Sequence, residues 1–337
     1  MKFIKFLKNH KILFAVFVVG LILLGLYWYG GSGTKKIEYG VTFSQDQAES
    51  LGLNWKEVYI AMLDDLKLKH LRLSAYWNKT EAKQDEYNFT DLDFMLSEAE
   101  KRNVQVVLSV GRRLPRWPEC HDPSWIKDLS QEELKNDLLS FLETVVRRYQ
   151  NNSAVRTWQV ENEPFLGSFG ICPKPSSELL DTEIALVKKL DPGRPILISD
   201  SGELSLWLSA GKRGDIFGTT MYRYVYNDTF NMYWVSYVPY WTYRVRAGFL
   251  RLLYGRHQVV IIELQSEPWT TKGILNTSLE EQFRTMSFKK FNKMLSIAKA
   301  TGFNPQYLWG VEWWYYMKEK QGHGEYWEAV KELIKNK

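Results

Sequence analysis

The chain of 337 residues alternates between short apolar runs and longer segments in which apolar residues recur every three or four positions. Short apolar runs between turn signals predict strands, and the three-to-four spacing predicts amphipathic helices. The predicted strands are residues 37–43, 70–77, 104–111, 156–160, 195–202, 215–224, 258–265 and 307–316. Strands and helices in this alternation predict a (β/α)8 barrel. The rival fold, a doubly wound sheet, needs a Gly-rich phosphate loop after the first strand, and residues 40–47 do not form one.

Residues that cap helices mark where the predicted helices begin. Ser130 and Glu133 form a capping box, in which the two side chains satisfy free N–H groups at the helix start. Thr90 with Asp93 predicts a second start of this kind. The aromatic-rich stretch at residues 227–255 predicts a long loop and an amphipathic helix. It either walls the barrel opening, rests on a membrane or forms an ordinary connection.

The first thirty residues follow a different pattern. Four Lys residues lie within the first eleven positions, and an uncharged apolar run ending in aromatic residues follows. About 20 apolar residues span a bilayer, with basic residues on the cytoplasmic side and aromatic rings at the interface. A cleavable signal peptide, the alternative, has a shorter apolar run and a small-residue cleavage site. We expect a cytoplasmic basic segment at residues 1–11, a transmembrane signal anchor at 12–30 and a linker at 31–36.

The formal charge of +5 belongs to this N-terminal segment. Residues 1–35 hold five Lys and no acidic residue, so the remaining chain carries 39 basic and 39 acidic residues. A body without net charge argues against nucleic acid as a partner. The 14 Trp suit sugar binding or a membrane interface, and they also suit the filling of a large core.

The two cysteines follow neighbouring predicted strands. Cys120 comes after strand three and Cys172 after strand four, so their loops are expected to meet at the barrel rim. Outside the cytoplasm a disulfide is chemically stable. We predict a disulfide between them; two unrelated thiols are the alternative.

Acidic side chains gather at the predicted carboxyl ends of the strands, where barrel enzymes place their functional residues. They are Glu161, Glu163, Asp200, Glu203, Glu263, Glu267 and Glu312. Strands four and seven lie across the barrel mouth, so Glu163 and Glu263 are expected to face each other. Two facing carboxyls are what glycoside hydrolysis requires, one to protonate the leaving oxygen and one to attack the anomeric carbon. The alternative is that both acids pair structurally with Arg72 or Arg112.

The motifs "WQVENEP" and "IIELQ" resemble the superfamily of retaining glycoside hydrolases with catalytic acids on strands four and seven. Cellulases, mannanases, β-xylosidases and β-galactosidases belong to it, and the resemblance covers roughly residues 37–317. It implies that Glu163 is the acid/base and Glu263 the nucleophile. Glu267, past the strand, is favoured as a loop or outer-subsite residue over the nucleophile role.

The same resemblance implies a set of sugar-binding residues. Asn162 would hold the 2-hydroxyl of the sugar, Arg72 would support the nucleophile, and Tyr222 would lie beside it. In "WGVEWW" either Trp313 or Trp314 would be the sugar platform, and Trp313 is preferred. Trp117 is either a second stacking ring or a loop-packing residue. Strand three ends in "GRRLPRWPE", without the histidine that many of these families place there.

Together these features predict a membrane-anchored retaining β-glycosidase that acts on an oligo- or polysaccharide outside the cytoplasm. Residues 37–337 would be its catalytic domain. The five His residues form neither an HExxH motif nor a His-x-His pair, so we expect no catalytic metal and no cofactor. A transglycosylase on the same site, a silent glycan-binding barrel and a metal-dependent barrel hydrolase are the competing hypotheses.

Overall fold

The computed structural model describes residues 2–31, 36–174, 176–227, 230–255 and 258–335, with side chains from residue 11 onward. Most of the predicted linker, residues 31–36, lies outside the described residues. The helices are α1 (Lys2–Gly30), α2 (Gln45–Ser50), α3 (Trp55–Asp64), α4 (Trp77–Thr80), α5 (Thr90–Lys101), α6 (Gln131–Tyr149), α7 (Ser177–Leu190), α8 (Leu208–Gly211), α9 (Tyr240–Tyr254), α10 (Leu279–Met286), α11 (Phe288–Thr301), α12 (Val311–Gln321) and α13 (Glu325–Lys335). The strands are β1 (Tyr39–Thr42), β2 (His70–Ser74), β3 (Gln105–Val110), β4 (Val155–Val160), β5 (Ile196–Asp200), β6 (Ile216–Met221), β7 (Tyr224–Asn227), β8 (Met232–Val235), β9 (Gln258–Gln265) and β10 (Gln306–Trp309).

Eight of the described strands pair in parallel and close into a barrel, in the order β1, β10, β9, β6, β5, β4, β3, β2. Helices lie between consecutive barrel strands along the chain. The predicted (β/α)8 barrel is confirmed, with β9 and β10 as its seventh and eighth strands. The sixth barrel strand ends at Met221, before the predicted end at residue 224. Strands β7 and β8 pair antiparallel outside the barrel; β8 lies within residues 227–255, for which we predicted a loop, and α9 follows as the amphipathic helix.

The prediction for the eighth barrel strand, residues 307–316, is wrong in length. Strand β10 ends at Trp309, and Gly310 takes a φ of 127°, which glycine adopts without strain. Helix α12 begins at the next residue, and Trp314 N donates to Gly310 O over 3.1 Å. The apolar pattern misled because a largely buried helix carries the same residues as a buried strand.

One predicted capping box is present and one is not. The Ser130 hydroxyl accepts from Glu133 N, and the Glu133 carboxylate accepts from Ser130 N, at the start of α6. Helix α5 begins at Thr90 as predicted, but Thr90 N donates to Asn88 Oδ1 over 3.0 Å. The carboxylate of Asp93 binds a neighbouring arginine instead.

Two apolar layers form the core. Inside the barrel, one cluster consists of Val107, Leu197, Val260, Ile262 and Tyr307. The larger cluster lies between the strands and the surrounding helices. Its fully buried tryptophans are Trp77, Trp158, Trp207, Trp313, Trp314 and Trp327. Much of the high tryptophan content therefore fills the core.

The segment Lys11–Gly30 of α1 is long and apolar enough to cross a membrane. The last turn of this helix rests on α9. Leu26 is buried in the contact, and the Arg244 guanidinium lies 3.9 Å from the centroid of the Tyr27 ring. Gly30 and Gly248 permit close approach, because a Cβ on either residue would overlap backbone atoms of the other helix. The end of α1 is thereby fixed to the barrel.

Candidate active site

The chain turns sharply at the end of β4, and this turn brings Glu163 to the barrel mouth. Glu161 and Glu163 have φ angles of 60° and 43°, a strained conformation that concentrates at functional sites. The turn interrupts the alternation of inward and outward side chains along the strand. Asn162 consequently contacts Arg72 inside the barrel, and Glu163 Oε1 accepts a hydrogen bond from Thr220 Oγ1 over 3.1 Å.

A β-bulge in β9 directs Glu263 into the same space. The register shifts between Ile261 and Glu263 against β6, and between Ile261 and Leu264 against β10. Ile261 and Leu264 pack in the outer core, whereas Ile262 belongs to the cluster inside the barrel. A bulge re-aims the side chains beside it, so both Ile262 and Glu263 point inward.

Two side chains hold the Glu263 carboxylate, one at each oxygen. Arg72 Nη1 lies 2.5 Å from Oε1, and the Tyr222 hydroxyl donates to Oε2 over 2.9 Å. The fully buried Arg72 also donates to Gln159 Oε1 over 2.8 Å and to Asn162 Oδ1 over 2.9 Å. Four residues that the sequence analysis assigned to one site are therefore in direct contact: Arg72, Asn162, Tyr222 and Glu263.

The amide of Asn162 is oriented by its neighbours. Its Oδ1 accepts from Arg72 and from the Ser199 hydroxyl, the latter over 3.1 Å. Its Nδ2 therefore points away from them and donates to Glu119 Oε2 over 3.2 Å. An amide nitrogen carries two hydrogens, so Asn162 keeps one for the oxygen of a ligand.

The surroundings of Glu163 raise the pKa of its carboxyl group. Its side chain is buried, and this burial raises the pKa of Glu163 well above the ordinary value. The negative charges of Glu263 and Glu119 raise it further, while Arg113 opposes them. These surroundings favour the neutral carboxyl form of Glu163 beside a second carboxyl group.

The sequence analysis missed Glu119, a third carboxyl in the site. It lies in the loop after β3 with a φ of 74°, and its side chain is buried. Burial and then the charge of Glu263 raise the pKa of Glu119 to about 8. Arg113 Nη2 lies 3.8 Å from its Oε2 and opposes this rise. The available signal was an acid directly before Cys120, in the loop that lacks the histidine of related families.

A second residue of this loop, Arg116, covers the indole of Trp309. Its guanidinium carbon lies 4.1 Å from the ring centroid, and Trp309 is the last residue of β10. The guanidinium also pairs with Glu267 and, over 3.0 Å, with Glu312. Trp309 Nε1 donates to Glu267 Oε1 over 2.8 Å. Glu267 is therefore held in an ion pair at the side of the site.

The predicted platform position of Trp313 is wrong, and so is that of its alternative, Trp314. Both residues lie in α12 and are fully buried. Trp313 Nε1 donates to Gln282 Oε1 over 2.9 Å, and Trp314 Nε1 donates to Ser266 O over 2.7 Å. Because β10 ends earlier than predicted, Trp309 occupies the end of the eighth strand instead.

A row of aromatic rings leads from Tyr222 to the rim of the mouth. The ring centroids lie 5.6 Å apart for Tyr222 and Trp269, 5.5 Å for Trp269 and Phe169, and 5.9 Å for Phe169 and Trp117. Trp117, at the outer end, is 63% exposed. A solvent-facing ring at the end of such a row offers a surface on which a sugar ring can stack.

The predicted disulfide between Cys120 and Cys172 is confirmed, with the Cα atoms 5.3 Å apart. It joins the loop after β3 to the loop after β4. Arg113 reinforces the connection by donating to Asn162 O and Phe169 O, each over 2.9 Å. The loop that carries Glu119 is thereby fixed to the loop that carries Glu163.

The site contains Glu163, a carboxyl group whose pKa is raised, and, across the mouth, Glu263, a carboxyl group held by an arginine and a tyrosine. In the described residues, no three His, Cys, Asp or Glu side chains lie together as a metal site. The groups present are those of acid-base and nucleophilic catalysis on an acetal.

Comparisons with known proteins agree with this chemistry. Residues 73–171 match the family Glycosyl hydrolase family 10. The probable mannan endo-1,4-beta-mannosidase A of Aspergillus niger is 25% identical over 122 residues, which make up 33% of this chain and 30% of that protein. The chain thus spans less than a third of the curated relative that it matches.

Solved structures show the same fold. Native xylanase 10B from Thermotoga maritima superposes with a TM-score of 0.59 at 17% identity, over 90% of this chain and 96% of that one. Xylanase 10B from Thermotoga petrophila RKU-1, in complex with xylobiose, gives a TM-score of 0.56 at 16% identity, over 90% and 95%. At these identities the likeness establishes the fold.

The barrel and the match over residues 73–171 make this chain similar to glycoside hydrolases with a (β/α)8 barrel. The match lies within the part of the chain for which the sequence motifs indicated a resemblance to retaining glycoside hydrolases.

Proposed function

We propose that the protein is a membrane-anchored retaining glycoside hydrolase that cleaves β-glycosidic bonds outside the cytoplasm by double displacement. In this proposal Glu163 is the acid/base and Glu263 the nucleophile. The observation that carries this proposal is that the two acids have different surroundings. Glu263 is held at both oxygens by Arg72 and Tyr222, whereas burial and the charge of Glu263 raise the pKa of Glu163.

In the first step Glu263 attacks the anomeric carbon while Glu163 gives its proton to the glycosidic oxygen. The bond between the anomeric carbon and that oxygen breaks, and an ester joins the sugar to Glu263. Arg72 and Tyr222 fix the attacking carboxylate, so little reorganisation accompanies the attack.

In the second step Glu163 changes its role from acid to base. The ester has removed the charge of Glu263, one of the causes that raise the pKa of Glu163. The pKa of Glu163 therefore falls, and the Glu163 carboxylate takes a proton from water as that water attacks the anomeric carbon. The ester bond breaks, and the sugar leaves with its original configuration.

The remaining groups position the sugar. Asn162 has one N–H left for the 2-hydroxyl, next to the carboxyl of Glu119. Trp117 and Trp269 offer stacking surfaces between the reacting centre and the rim. Such a row of rings suits a polymer, and the relatives are named for xylan, xylobiose and mannan. We therefore propose a β-linked polysaccharide of this kind as the substrate, cleaved within the chain.

The anchoring part of the proposal rests on α1 and on the disulfide. Lys11–Gly30 has the length and composition of a membrane span, and the Lys residues before it favour the cytoplasmic side. The disulfide between Cys120 and Cys172 suits an oxidising compartment. The catalytic domain accordingly lies outside the cytoplasm, attached by a single span.

Activity is tested with the full chain in detergent micelles, on aryl β-glycosides, xylan and mannan. Reducing ends should appear with the wild type and with E178Q, an exposed acid on α7, but not with E263Q. A product analysis separates hydrolysis from transfer to a second sugar. Binding of these glycans without turnover by the wild type would support the silent glycan-binding barrel instead.

Topology is tested on the protein in its own membrane. The N-terminus of the mature chain should be residue 1 or 2, and external protease should reach the barrel domain. A mature N-terminus beyond residue 20 would show that the segment is a cleaved signal peptide. Protection from external protease would reverse the orientation.

A further inference from the structure

Helix α9 has three distinct faces. One turn of helix covers 3.6 residues, so residues three or four apart share a face. Tyr243, Ala247 and Leu250 are buried against the barrel. Residues 244, 248 and 251 touch the end of α1. The third face points away from the barrel and is apolar. Its residues are Trp241, Phe249, Leu252 and Leu253, which are between 38% and 66% exposed.

A helix that is apolar toward the barrel and also apolar toward the outside does not fit a purely aqueous surface. Helix α9 also contains three Arg residues and no acidic residue. Aromatic and aliphatic side chains together with arginines are the composition of helices that lie in the boundary between lipid headgroups and acyl chains. The exposed face of α9 thus has the chemistry of a membrane interface.

The contact with α1 places this face at the depth of the interface. The last residues of α1 touch α9 over two turns, since Arg244 donates to Tyr27 and Arg251 donates to Tyr29 O and Gly31 O. Gly30 approaches the backbone of Arg244 and Gly248 approaches the backbone of Leu26, so α9 runs antiparallel beside the end of α1. A span that ends at Gly30 leaves the hydrocarbon at this point, where Tyr27 and Trp28 match the aromatic belt of an interface.

The apolar surface continues from α9 onto the loop after β5. Arg246 donates to Gly202 O and Ser205 O, each over 2.7 Å, and so holds this loop against the helix. Leu204 and Leu206 of the loop are 72% and 74% exposed. The loop and α9 together extend the apolar area beyond what a single helix presents.

We propose that the exposed face of α9, with Leu204 and Leu206, is a membrane-docking surface that inserts into the interface of the bilayer crossed by α1. Its occupant is the headgroup and acyl boundary of that bilayer. The barrel is held against the membrane by two elements, the span and α9, and does not swing on a free tether. The inference rests on the anchoring proposed above and adds a fixed orientation to it.

The test is a depth measurement on the full chain in vesicles of phosphatidylcholine and phosphatidylglycerol. Nitroxide labels are placed through L252C and F249C, and through N136C on α6 as a control far from α9. The two native cysteines are joined to each other and do not react with the label. Retained activity on an aryl β-glycoside, or an unchanged circular dichroism spectrum, shows that each variant is folded.

Collision with oxygen should exceed collision with a water-soluble nickel chelate at L252C and F249C, and the reverse should hold at N136C. Protein that floats with the vesicles but shows nickel accessibility at L252C and F249C equal to that at N136C would overturn the docking surface and leave the anchor in place. Protein that does not float with the vesicles would overturn the anchoring itself.

Discussion

Arg72 Nη1 lies 2.5 Å from Glu263 Oε1, and the other guanidinium nitrogens of Arg72 bind Gln159 and Asn162. One buried cation therefore positions both the proposed nucleophile and the amide beside it. Lysine has a single charged nitrogen and does not reproduce this planar set of bonds. R72K should lower kcat about 100-fold, a loss typical of removing one preorganised charge contact.

The control for R72K is R148K, at a pair with Asp93 on the surface. Surface pairs contribute little, so R148K should keep its activity. Kinetics on an aryl β-glycoside, with circular dichroism to confirm folding, compare the two variants. Equal kcat values for R72K and the wild type would show that Arg72 does not position the nucleophile.

Glu119 should influence the pH dependence of the reaction. Above about pH 8 Glu119 is ionised, and its charge raises the pKa of Glu163, so E119Q should lower that pKa. Glu163 has to be protonated in the first step, and the loss of kcat/KM on the alkaline side reports its deprotonation. The fall of kcat/KM on the alkaline side should therefore occur at lower pH in E119Q than in the wild type. E178Q serves as the control, and a fall at the same pH in E119Q would contradict the coupling.

Glu119 should also lower the stability of the fold at alkaline pH. Its pKa is about 8 in the folded protein, against roughly 4.3 for an ordinary glutamate. Between these values the folded state binds the proton more tightly than the unfolded chain, so stability falls as the pH rises. E119Q does not titrate, and its Tm should exceed that of the wild type by about 3 °C near pH 8.5 and match it near pH 4. A Tm difference that is the same at both pH values would contradict this origin.

Trp117 should matter for long substrates only. Its ring is 63% exposed at the end of the aromatic row, away from the proposed catalytic acids. W117A should raise the KM for a polysaccharide by about tenfold, because one stacking contact is lost. An aryl monoglycoside, which does not extend to the rim, should be cleaved as before. The control W241A removes a ring of α9 and should leave both KM values unchanged. If W117A does not change the KM for the polysaccharide, Trp117 has a loop-packing role only.

The sequence predicted those parts of the site that strand ends and short motifs determine. The seventh barrel strand has the predicted bounds because its apolar run is enclosed by polar residues, and "VENEP" marks the end of the fourth. The bulge in β9, by contrast, has no pattern of its own. It decides that Glu263 faces inward, where strict alternation would leave it outward.

Two features of the site depend on tertiary structure and escaped prediction. Arg116 and Glu119 enter the mouth because their loop has φ angles of 86° and 74° and is fixed by the disulfide. Such a loop conformation leaves no hydrophobic periodicity. Trp309 was overlooked because a largely buried helix follows β10 without a polar break, and the apolar pattern alone does not separate the two elements.

The most direct test of the central claim is to identify the residue that carries the covalent intermediate. A fluorosugar with a good leaving group forms the ester with the nucleophile but hydrolyses slowly, so the labelled peptide can be sequenced by mass spectrometry. The label should be on Glu263 in the wild type and in E163A, where azide should release it with retained configuration. A label on Glu267, or rapid hydrolysis of natural glycans by E163A, would contradict the assignment of the two acids.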